Sequence, residues 1–197
     1  MQLKNILTAL TLILALRGAT QTSYADSIDH FHLNYVAEHE VVKGDDRNNL
    51  KFFTPDEHYR VLARFERKEQ SAWLQMKTSA STVKIYRVYG VIHFTIHDTV
   101  LHLNLYQSQA LMESEKYRNL LFLPFTDRTT GKESYDGGRY IDLDMSNIQN
   151  NAVLIDFNKA YNPYCAYVSG RYSCPIPPAE NNLAVAVRAG EMRYGDH

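Results

Sequence analysis

The stretch "GVIHFTIHDTVLHLNLYQ", residues 90–107, decides the fold class, because two alternating apolar segments lie on either side of a short polar break. Every second residue from Ile92 to Ile96 is apolar, and the same holds from Leu101 to Leu105. A period of two places all the apolar side chains of a strand on one face. The stretch therefore predicts an antiparallel β-hairpin with one buried face.

Segments of the same kind lie on both sides of the hairpin. They are "YRVLARFE", "AWLQMKT" and "VKIYRVYG" before it, and "LLFLPFTD", "GRYIDLDM", "AVLIDFNK" and "NLAVAVRAG" after it. Short turns rather than crossover helices separate them, which favours antiparallel pairing. Near the N-terminus, Ile28, Phe31 and Tyr35 follow helical spacing, with Ser27 as the expected cap and Gly44 as the expected end. The sequence predicts a mainly β fold, an antiparallel β-barrel or β-sandwich of about eight or nine strands with one N-terminal α-helix.

The first 26 residues, "MQLKNILTALTLILALRGATQTSYAD", predict the compartment. Lys4 precedes an apolar run from Ile6 to Leu16, which as a helix would rise about 16 Å and cover only half of a bilayer core. A basic start, a short apolar run and small residues before Asp26 are typical of a secretory signal peptide, with a buried N-terminal helix as the alternative. We expect residues 1–25 to be a signal peptide, residues 26–197 to form a single β-rich domain, and the protein to be exported to the periplasm or the extracellular space.

Charge and hydropathy restrict the classes of partner. Removal of residues 1–25 would remove two basic residues and no acidic one, and would lower the formal net charge from -1 to -3. A mildly acidic chain without a basic stripe disfavours nucleic acid as a partner. No later segment is apolar enough to span a bilayer, so we expect no stable membrane anchor once the signal is removed.

The two cysteines, Cys165 and Cys174, lie in "DFNKAYNPYCAYVSGRYSCPIPPAENN". A structural zinc site needs about four ligands, and this segment supplies two thiolates and no histidine. A Cys-x-x-Cys redox motif is absent, and no histidine is close enough in sequence to activate a catalytic thiol. In an oxidising compartment this spacing favours a disulfide over free thiols, metal binding or catalysis.

Two blocks of the second half carry a resemblance to a known family. They are "FLPFTDRTTGKESYDGGRYIDLD", residues 122–144, and "DFNKAYNPYCAYVSGRYSCPIPPAENNLAVAVRAGE", residues 156–191. Both resemble the signature blocks of a bacterial family known as domain of unknown function 1684, over roughly residues 50–192. The chain departs from the family pattern at Ser134, where threonine is expected. The resemblance implies no particular activity and no cofactor.

The same blocks concentrate polar and aromatic side chains beside glycines and prolines that restrict the backbone. A stiff loop loses less conformational entropy when it orders around a ligand. We therefore predict one polar, aromatic-lined site that both blocks build. Its candidate ligand-binding residues are Asp127, Glu133, Tyr135, Arg139, Asp156, Asn158, Tyr161, Asn162, Glu180 and Asn181.

Three functions fit these residues. Arg139 offers a planar guanidinium that suits a carboxylate or phosphate, so the leading hypothesis is recognition of a small polar or anionic molecule, such as a sugar or a carboxylate. The acids of the blocks would also permit a cofactor-independent hydrolase, although their spacing selects no catalytic pair. In the third interpretation Arg139 pairs with Asp127, Glu133 or Asp156, and the polar residues form a structural network.

Histidines suggest one further possibility. His93 and His97 share a face of one predicted strand, and His102 lies on the next. Three such side chains can bind zinc or copper, whereas a solvent-facing position would leave them without that role. Because the opposite face of this hairpin is the apolar one, we predict solvent exposure and no metal site.

Overall fold

The computed structural model describes residues 23–195 and confirms a mainly β fold with antiparallel strands and a helix near the N-terminus. Residues 1–22, which hold most of the predicted signal peptide, lie outside the described residues. The helices and strands are α1 (Tyr24–Glu38), β1 (Arg60–Arg67), β2 (Trp73–Lys77), β3 (Val83–Ile96), β4 (Thr99–Ser108), α2 (Gln109–Met112), β5 (Leu120–Phe125), β6 (Arg139–Asp144) and β7 (Ala152–Asp156). No helix within the described range is long and apolar enough to cross a membrane.

The strands form one curled sheet in the order β6-β5-β4-β3-β1-β7, with β2 paired to β3 beside β1. The predicted hairpin is confirmed as β3 and β4, whose ladder runs without a break from Gly90 to Ile96 on β3. At the ends of the sheet, Tyr140 of β6 exchanges two backbone hydrogen bonds with Tyr161, which follows β7. The architecture is therefore a half-barrel rather than a sandwich of two sheets.

The main core fills the concave side of this sheet. Alternate apolar residues of six strands meet there, because a period of two sends them all to one face. The fully buried members include Ala63, Ile92, Leu103, Leu105, Leu121, Leu123, Phe125 and Ile155. The convex side carries a second, smaller cluster of Met76, Tyr86 and Tyr106, and it is this side that bears the cleft described below.

A β-bulge in β3 makes that second cluster possible. The register shifts between Val88 and Gly90, so that Gly90 lies opposite the core residue Leu105 whereas Val88 lies opposite Tyr106 of the convex side. Only glycine fits at position 90, because a Cβ atom there would lie 2.3 Å from the Phe65 ring. The bulge thereby turns Tyr86 outward and leaves Ile92, Phe94 and Ile96 facing the core.

Helix α1 begins earlier than the sequence predicts. Ser23 rather than Ser27 is its cap: Ser23 Oγ accepts from the Asp26 amide at 3.1 Å, and Asp26 Oδ2 accepts from the Ser23 amide at 3.2 Å. This reciprocal capping box uses two backbone N–H groups that a helix start would otherwise leave unpaired. The helix ends at Glu38, well before the expected end at Gly44. The expected boundary of the signal peptide at residue 25 therefore falls inside α1.

The described range contains seven strands, fewer than the eight or nine expected, for two reasons. Strand β3 joins "VKIYRVYG" and the first half of the hairpin, which the sequence predicts as separate strands. The segment "NLAVAVRAG" is extended and buries Leu183, Val187 and Ala189 as alternation predicts, but it belongs to no strand. The carbonyls of Val187 and Ala189 accept from the side chain of Arg139, and the earlier part of the segment makes isolated backbone hydrogen bonds with Thr126 and Arg128 just after β5.

The predicted disulfide between Cys165 and Cys174 is confirmed. The Cys174 amide donates to Ser79 Oγ at 3.1 Å, and the Ser79 amide donates to the Cys174 carbonyl at 2.9 Å, so the loop is fastened to the turn between β2 and β3. Closing a loop of this length restricts the unfolded chain and stabilises the fold by about 2.7 kcal/mol. The bond therefore holds residues 163–175 as a firm wall beside β6.

Candidate functional site

A cleft of about 1140 Å³ lies on the convex side of the sheet, between β6, the C-terminal half of α1 and the disulfide loop. Aromatic rings form much of its lining, and they come from the sheet, the helix and the loop. These rings are Phe31, Tyr35, Tyr86, Phe122, Tyr140, Tyr161, Tyr164 and Tyr172. Concave sites with aromatic walls and a few polar groups are the usual form of small-molecule sites.

The floor of the cleft is a row of rings that contact one another. Tyr86 stacks on Phe122 at 5.5 Å between ring centroids, and Phe122 meets Tyr140 edge to face at 4.7 Å. Tyr140 in turn meets Tyr161 edge to face at 5.8 Å. The Tyr140 hydroxyl donates to the carbonyl of Pro175, which joins the floor to the disulfide loop. The ring row is therefore held in a defined geometry before any ligand arrives.

Asp142 is the acid of this floor. It lies directly opposite Phe122 in the ladder between β5 and β6, and Tyr161 Oη donates to its Oδ2 at 2.7 Å. Although the carboxylate opens to solvent through the cleft, the surrounding walls desolvate it and raise the pKa of Asp142 above its usual value. Among the described residues, no lysine, arginine or histidine forms an ion pair with Asp142.

Two tyrosines of the disulfide loop join the outer walls of the cleft, one through its hydroxyl and one through its ring. Tyr164 of the loop donates to Glu40 at 2.7 Å, next to the end of α1. The His39 ring lies edge to face against Tyr167 at 4.7 Å. Helix α1 and the disulfide loop therefore form one continuous wall.

Behind this wall lies Glu191, which is fully buried. It accepts hydrogen bonds from the Asn162 amide at 2.8 Å, from Tyr167 Oη at 2.7 Å and from Tyr35 Oη at 3.3 Å. Burial raises the pKa of Glu191 to about 7, although these hydrogen bonds oppose the shift. Because Tyr35 also lines the cleft, Glu191 supports the cleft wall from within the fold.

Arg139 does not face the cleft. Its side chain points into the core, where it is fully buried and donates to Asp127 Oδ2 at 2.8 Å. Nη2 also donates to the carbonyl of Val187 at 2.8 Å, and Nη1 donates to the carbonyls of Ala189 at 2.5 Å and Glu191 at 3.2 Å, whereas Nε has no hydrogen-bond partner among the described residues. Of the two roles that the sequence left open for Arg139, the buried ion pair with Asp127 is the one that is present, and no anionic ligand can reach the guanidinium from the cleft. Arginine is suited to this role because its planar fork reaches the carboxylate and several carbonyls together.

Asp156 and Asn158 fasten α1 to the end of β7. Tyr24 Oη donates to Asp156 Oδ1 at 2.9 Å and accepts from Asn158 Nδ2 at 2.8 Å. Asn158 is fully buried and also exchanges hydrogen bonds with the backbone of Asp56. Desolvation and the Asp156 hydrogen bond raise the pKa of Tyr24. Asp156 lines one end of the cleft, whereas Asn158 is enclosed.

Asn181 fills a gap in the sheet. Strands β4 and β5 are in register only at Tyr106 and Phe122, and beyond that point they separate. Asn181 inserts there: its Oδ1 accepts from the Asn104 amide at 2.9 Å, and its Nδ2 donates to the carbonyls of Asn104 and Pro124. The side chain thus replaces the missing ladder bonds.

The remaining candidates lie away from the cleft. Asn162 is buried and donates through Nδ2 to the Met192 carbonyl. Glu133 forms a bidentate ion pair with Arg188 on the surface, in which Nε and Nη2 of Arg188 donate to the carboxylate at 2.8 and 3.0 Å. Tyr135 is partly buried against its own turn, and Glu180 is exposed. Of the ten candidate residues, only Asp156 and Tyr161 line the cleft.

The histidines separate into two places. His93 and His102 lie opposite each other on β3 and β4 on the convex side, with 6.2 Å between their ring centroids. Glu66 Oε2 lies 3.4 Å from His93 Nε2. His97 lies in the hairpin turn and meets the Tyr59 hydroxyl at 3.3 Å. Within residues 23–195, no group of three potential ligands is arranged to hold a metal ion.

The sequence-based site omitted Asp142, Tyr86 and Phe122. A signal for Asp142 is present in "GRYIDLDM", because strand alternation places Tyr140 and Asp142 on the face opposite Ile141 and Leu143. An aromatic and an acid on one strand face, next to a phenylalanine on the partner strand, indicate a polar surface with apolar walls. For Tyr86 no such signal exists, because its side depends on the bulge before Gly90.

Comparisons with known proteins agree with this assignment of fold and family. The family described as Protein of unknown function (DUF1684) matches residues 46–192. An uncharacterized protein of Haloarcula marismortui, solved by solution NMR, is 30% identical, with a TM-score of 0.63 and 98% of each chain covered. No curated protein matches the chain. The matched range contains both sequence blocks, the disulfide and Asp142, and the chain therefore belongs to the DUF1684 family.

Proposed function

We propose that the protein recognises a small polar molecule in the cleft above Asp142. The observation that carries the proposal is geometric: the Asp142 carboxylate opens into an aromatic-lined cleft, accepts a hydrogen bond from the neutral Tyr161 hydroxyl and has no cationic partner in the described part of the chain. A carboxylate that is partly desolvated and lacks a countercharge costs stability. Such a group is typical of a site at which a ligand completes the missing interactions.

The proposed site differs from the one predicted from sequence, because it lies in the cleft above Asp142 and does not include Arg139. The two blocks contribute the cleft through Tyr140, Asp142, Tyr161 and the disulfide loop, whereas Arg139, Asn158, Asn162 and Asn181 support the structural interpretation of those residues. A hydrolase using the predicted acids receives little support. Asp127 is held in an ion pair, Glu133 and Glu180 are on the surface, and Glu191 is enclosed. Asp156 lines the cleft, but its Oδ1 accepts from Tyr24 and from the Asn158 amide and fastens α1 to the end of β7.

Export of the protein is the second part of this proposal. Its support is the short apolar run after Lys4 together with the disulfide, because disulfides persist in oxidising compartments. We expect the mature chain to retain Tyr24, since its hydroxyl bonds both Asp156 and Asn158. The intact mass of protein isolated from its host tests both points. A cytosolic species carrying the complete N-terminus as the sole form would contradict export.

Equilibrium titrations test the ligand site. We expect at least one of three probes, choline, methyl β-D-glucopyranoside or acetate, to shift amide resonances around Asp142 and Tyr161, and Asp142→Asn to weaken that binding by about tenfold or more.

The control is Asp136→Asn, which alters an exposed acid in the turn before β6 and away from the cleft lining. It should leave probe binding unchanged. Equal losses of binding in the two variants, or the absence of any shift with all three probes, would contradict the proposed function.

A further inference from the structure

The charges around the cleft are unevenly distributed, and this asymmetry bears on the class of ligand. Two of the basic residues in the lining are already engaged at the α1 end: Arg60 pairs with Glu57 at 3.5 Å, and Lys159 lies 5.3 Å from the Phe31 ring centre. The third, Lys84, is exposed on β3. None of them is within ion-pair distance of Asp142.

The acids of the cleft have the opposite arrangement. Asp142 occupies the aromatic floor, and Glu38 and Glu40 line the helix wall, where both are exposed. Among the described residues, the Asp142 carboxylate accepts one hydrogen bond, from the neutral Tyr161 hydroxyl. Its negative charge is therefore not compensated locally. An anion placed on this floor would meet like charge in a partly desolvated setting.

The rings reinforce this preference. Tyr86, Phe122, Tyr140 and Tyr161 form the row beside Asp142, and the faces of aromatic rings carry partial negative charge. A cation over such faces gains attraction that a neutral group of the same shape lacks. Aromatic rings arranged with a carboxylate are the known means of recognising ammonium groups in proteins.

We propose that the cleft selects an organic cation, a molecule that places an ammonium group against Asp142 and the rings of Phe122, Tyr140 and Tyr161. The proposal rests on the proposed function and specifies its ligand class. It replaces the anionic ligand expected from the sequence, because that expectation depended on Arg139, which is enclosed in the core.

A pair of isosteric probes separates charge from shape. Choline and 3,3-dimethylbutan-1-ol differ only in the central nitrogen or carbon, and 3,3-dimethylbutanoate supplies an anion of similar size. In amide-shift titrations of the full-length protein we expect choline to bind at least about tenfold more tightly than either analogue. Asp142→Asn should reduce the preference for choline over the neutral alcohol to about threefold or less. Asp142→Glu, which keeps the charge, should retain most of it.

The outcomes distinguish the two proposals. Equal or tighter binding of the neutral alcohol or of the anion in the cleft would overturn the cation while preserving a polar-ligand site. Binding of methyl β-D-glucopyranoside in the cleft, with no binding of choline, would likewise overturn the organic cation and preserve a polar-ligand site. Absence of cleft shifts with all of these probes would overturn the proposed function itself. An Asp142→Asn spectrum that matches wild type outside the cleft, together with an unchanged choline preference, would also refute the inference.

Discussion

Arg139→Ala is expected to destabilise the protein by about 3 to 5 kcal/mol, because it leaves Asp127 buried without its countercharge. It also removes the donors for three carbonyl groups of the C-terminal segment. For a chain of this size, such a loss lowers the melting temperature by roughly 6 to 20 °C. Thermal melting of the purified variant, followed by circular dichroism, measures the effect.

The matched control is Arg188→Ala. Arg188 pairs with Glu133 through two hydrogen bonds, but both side chains are on the surface, where ion pairs contribute little. If Arg139→Ala fails to fold, Asp127→Asn provides a milder test of the same pair, because its amide oxygen can still accept from the arginine. Indistinguishable melting temperatures for Arg139→Ala and Arg188→Ala would contradict the structural role of Arg139.

Glu191→Gln is expected to change how stability depends on pH. The pKa of Glu191 rises from 4.5 in the unfolded chain to about 7 in the fold, so the folded state retains its proton over that range while the unfolded state loses it. Wild type should therefore lose stability as pH rises from 4.5 to 7, by on the order of 3 kcal/mol from this group alone. Glutamine resembles the protonated acid and should not show this loss.

Urea unfolding at pH 5 and pH 8 measures the difference between the variant and wild type, so that contributions of other acids cancel. We expect Glu191→Gln to become more stable relative to wild type at the higher pH. Glu133→Gln is the control, because hydrogen bonding to Arg188 lowers the pKa of Glu133, so that this acid is largely ionised in both the folded and the unfolded state from pH 5 upward. Its stability difference from wild type should therefore be nearly the same at both pH values. A stability difference for Glu191→Gln that is the same at both pH values would contradict the assignment.

Short-range sequence patterns predict those parts of the fold that residues close together in sequence form, namely the hairpin and the disulfide loop. The hairpin of β3 and β4 follows from strict alternation, and the disulfide follows from two cysteines in a stiff loop. The segment "NLAVAVRAG" shows where this reasoning ends. Its alternation correctly predicts burial, but two of its carbonyl groups bind the Arg139 side chain, which is far away in sequence, instead of a strand. Alternation reports which side chains are buried and does not report which group pairs with the backbone.

The site is less predictable than the fold for the same reason. The two blocks contain the polar residues that the structure uses, yet a strand sends alternate side chains to opposite faces. Arg139 and Tyr140 are neighbours in sequence, and one enters the core whereas the other joins the cleft floor. The bulge before Gly90 and the row of rings from three strands arise only in the assembled sheet.

The most direct test of the account is the position of a bound ligand on the protein. Intermolecular nuclear Overhauser effects, measured with choline, methyl β-D-glucopyranoside and acetate at saturation, report which protein protons lie against the probe. We expect contacts from at least one probe to the ring protons of Phe122, Tyr140 and Tyr161, which surround Asp142. Contacts confined to the surface near Glu133 and Arg188, or no contact in the cleft with any of the three probes, would contradict a ligand site above Asp142.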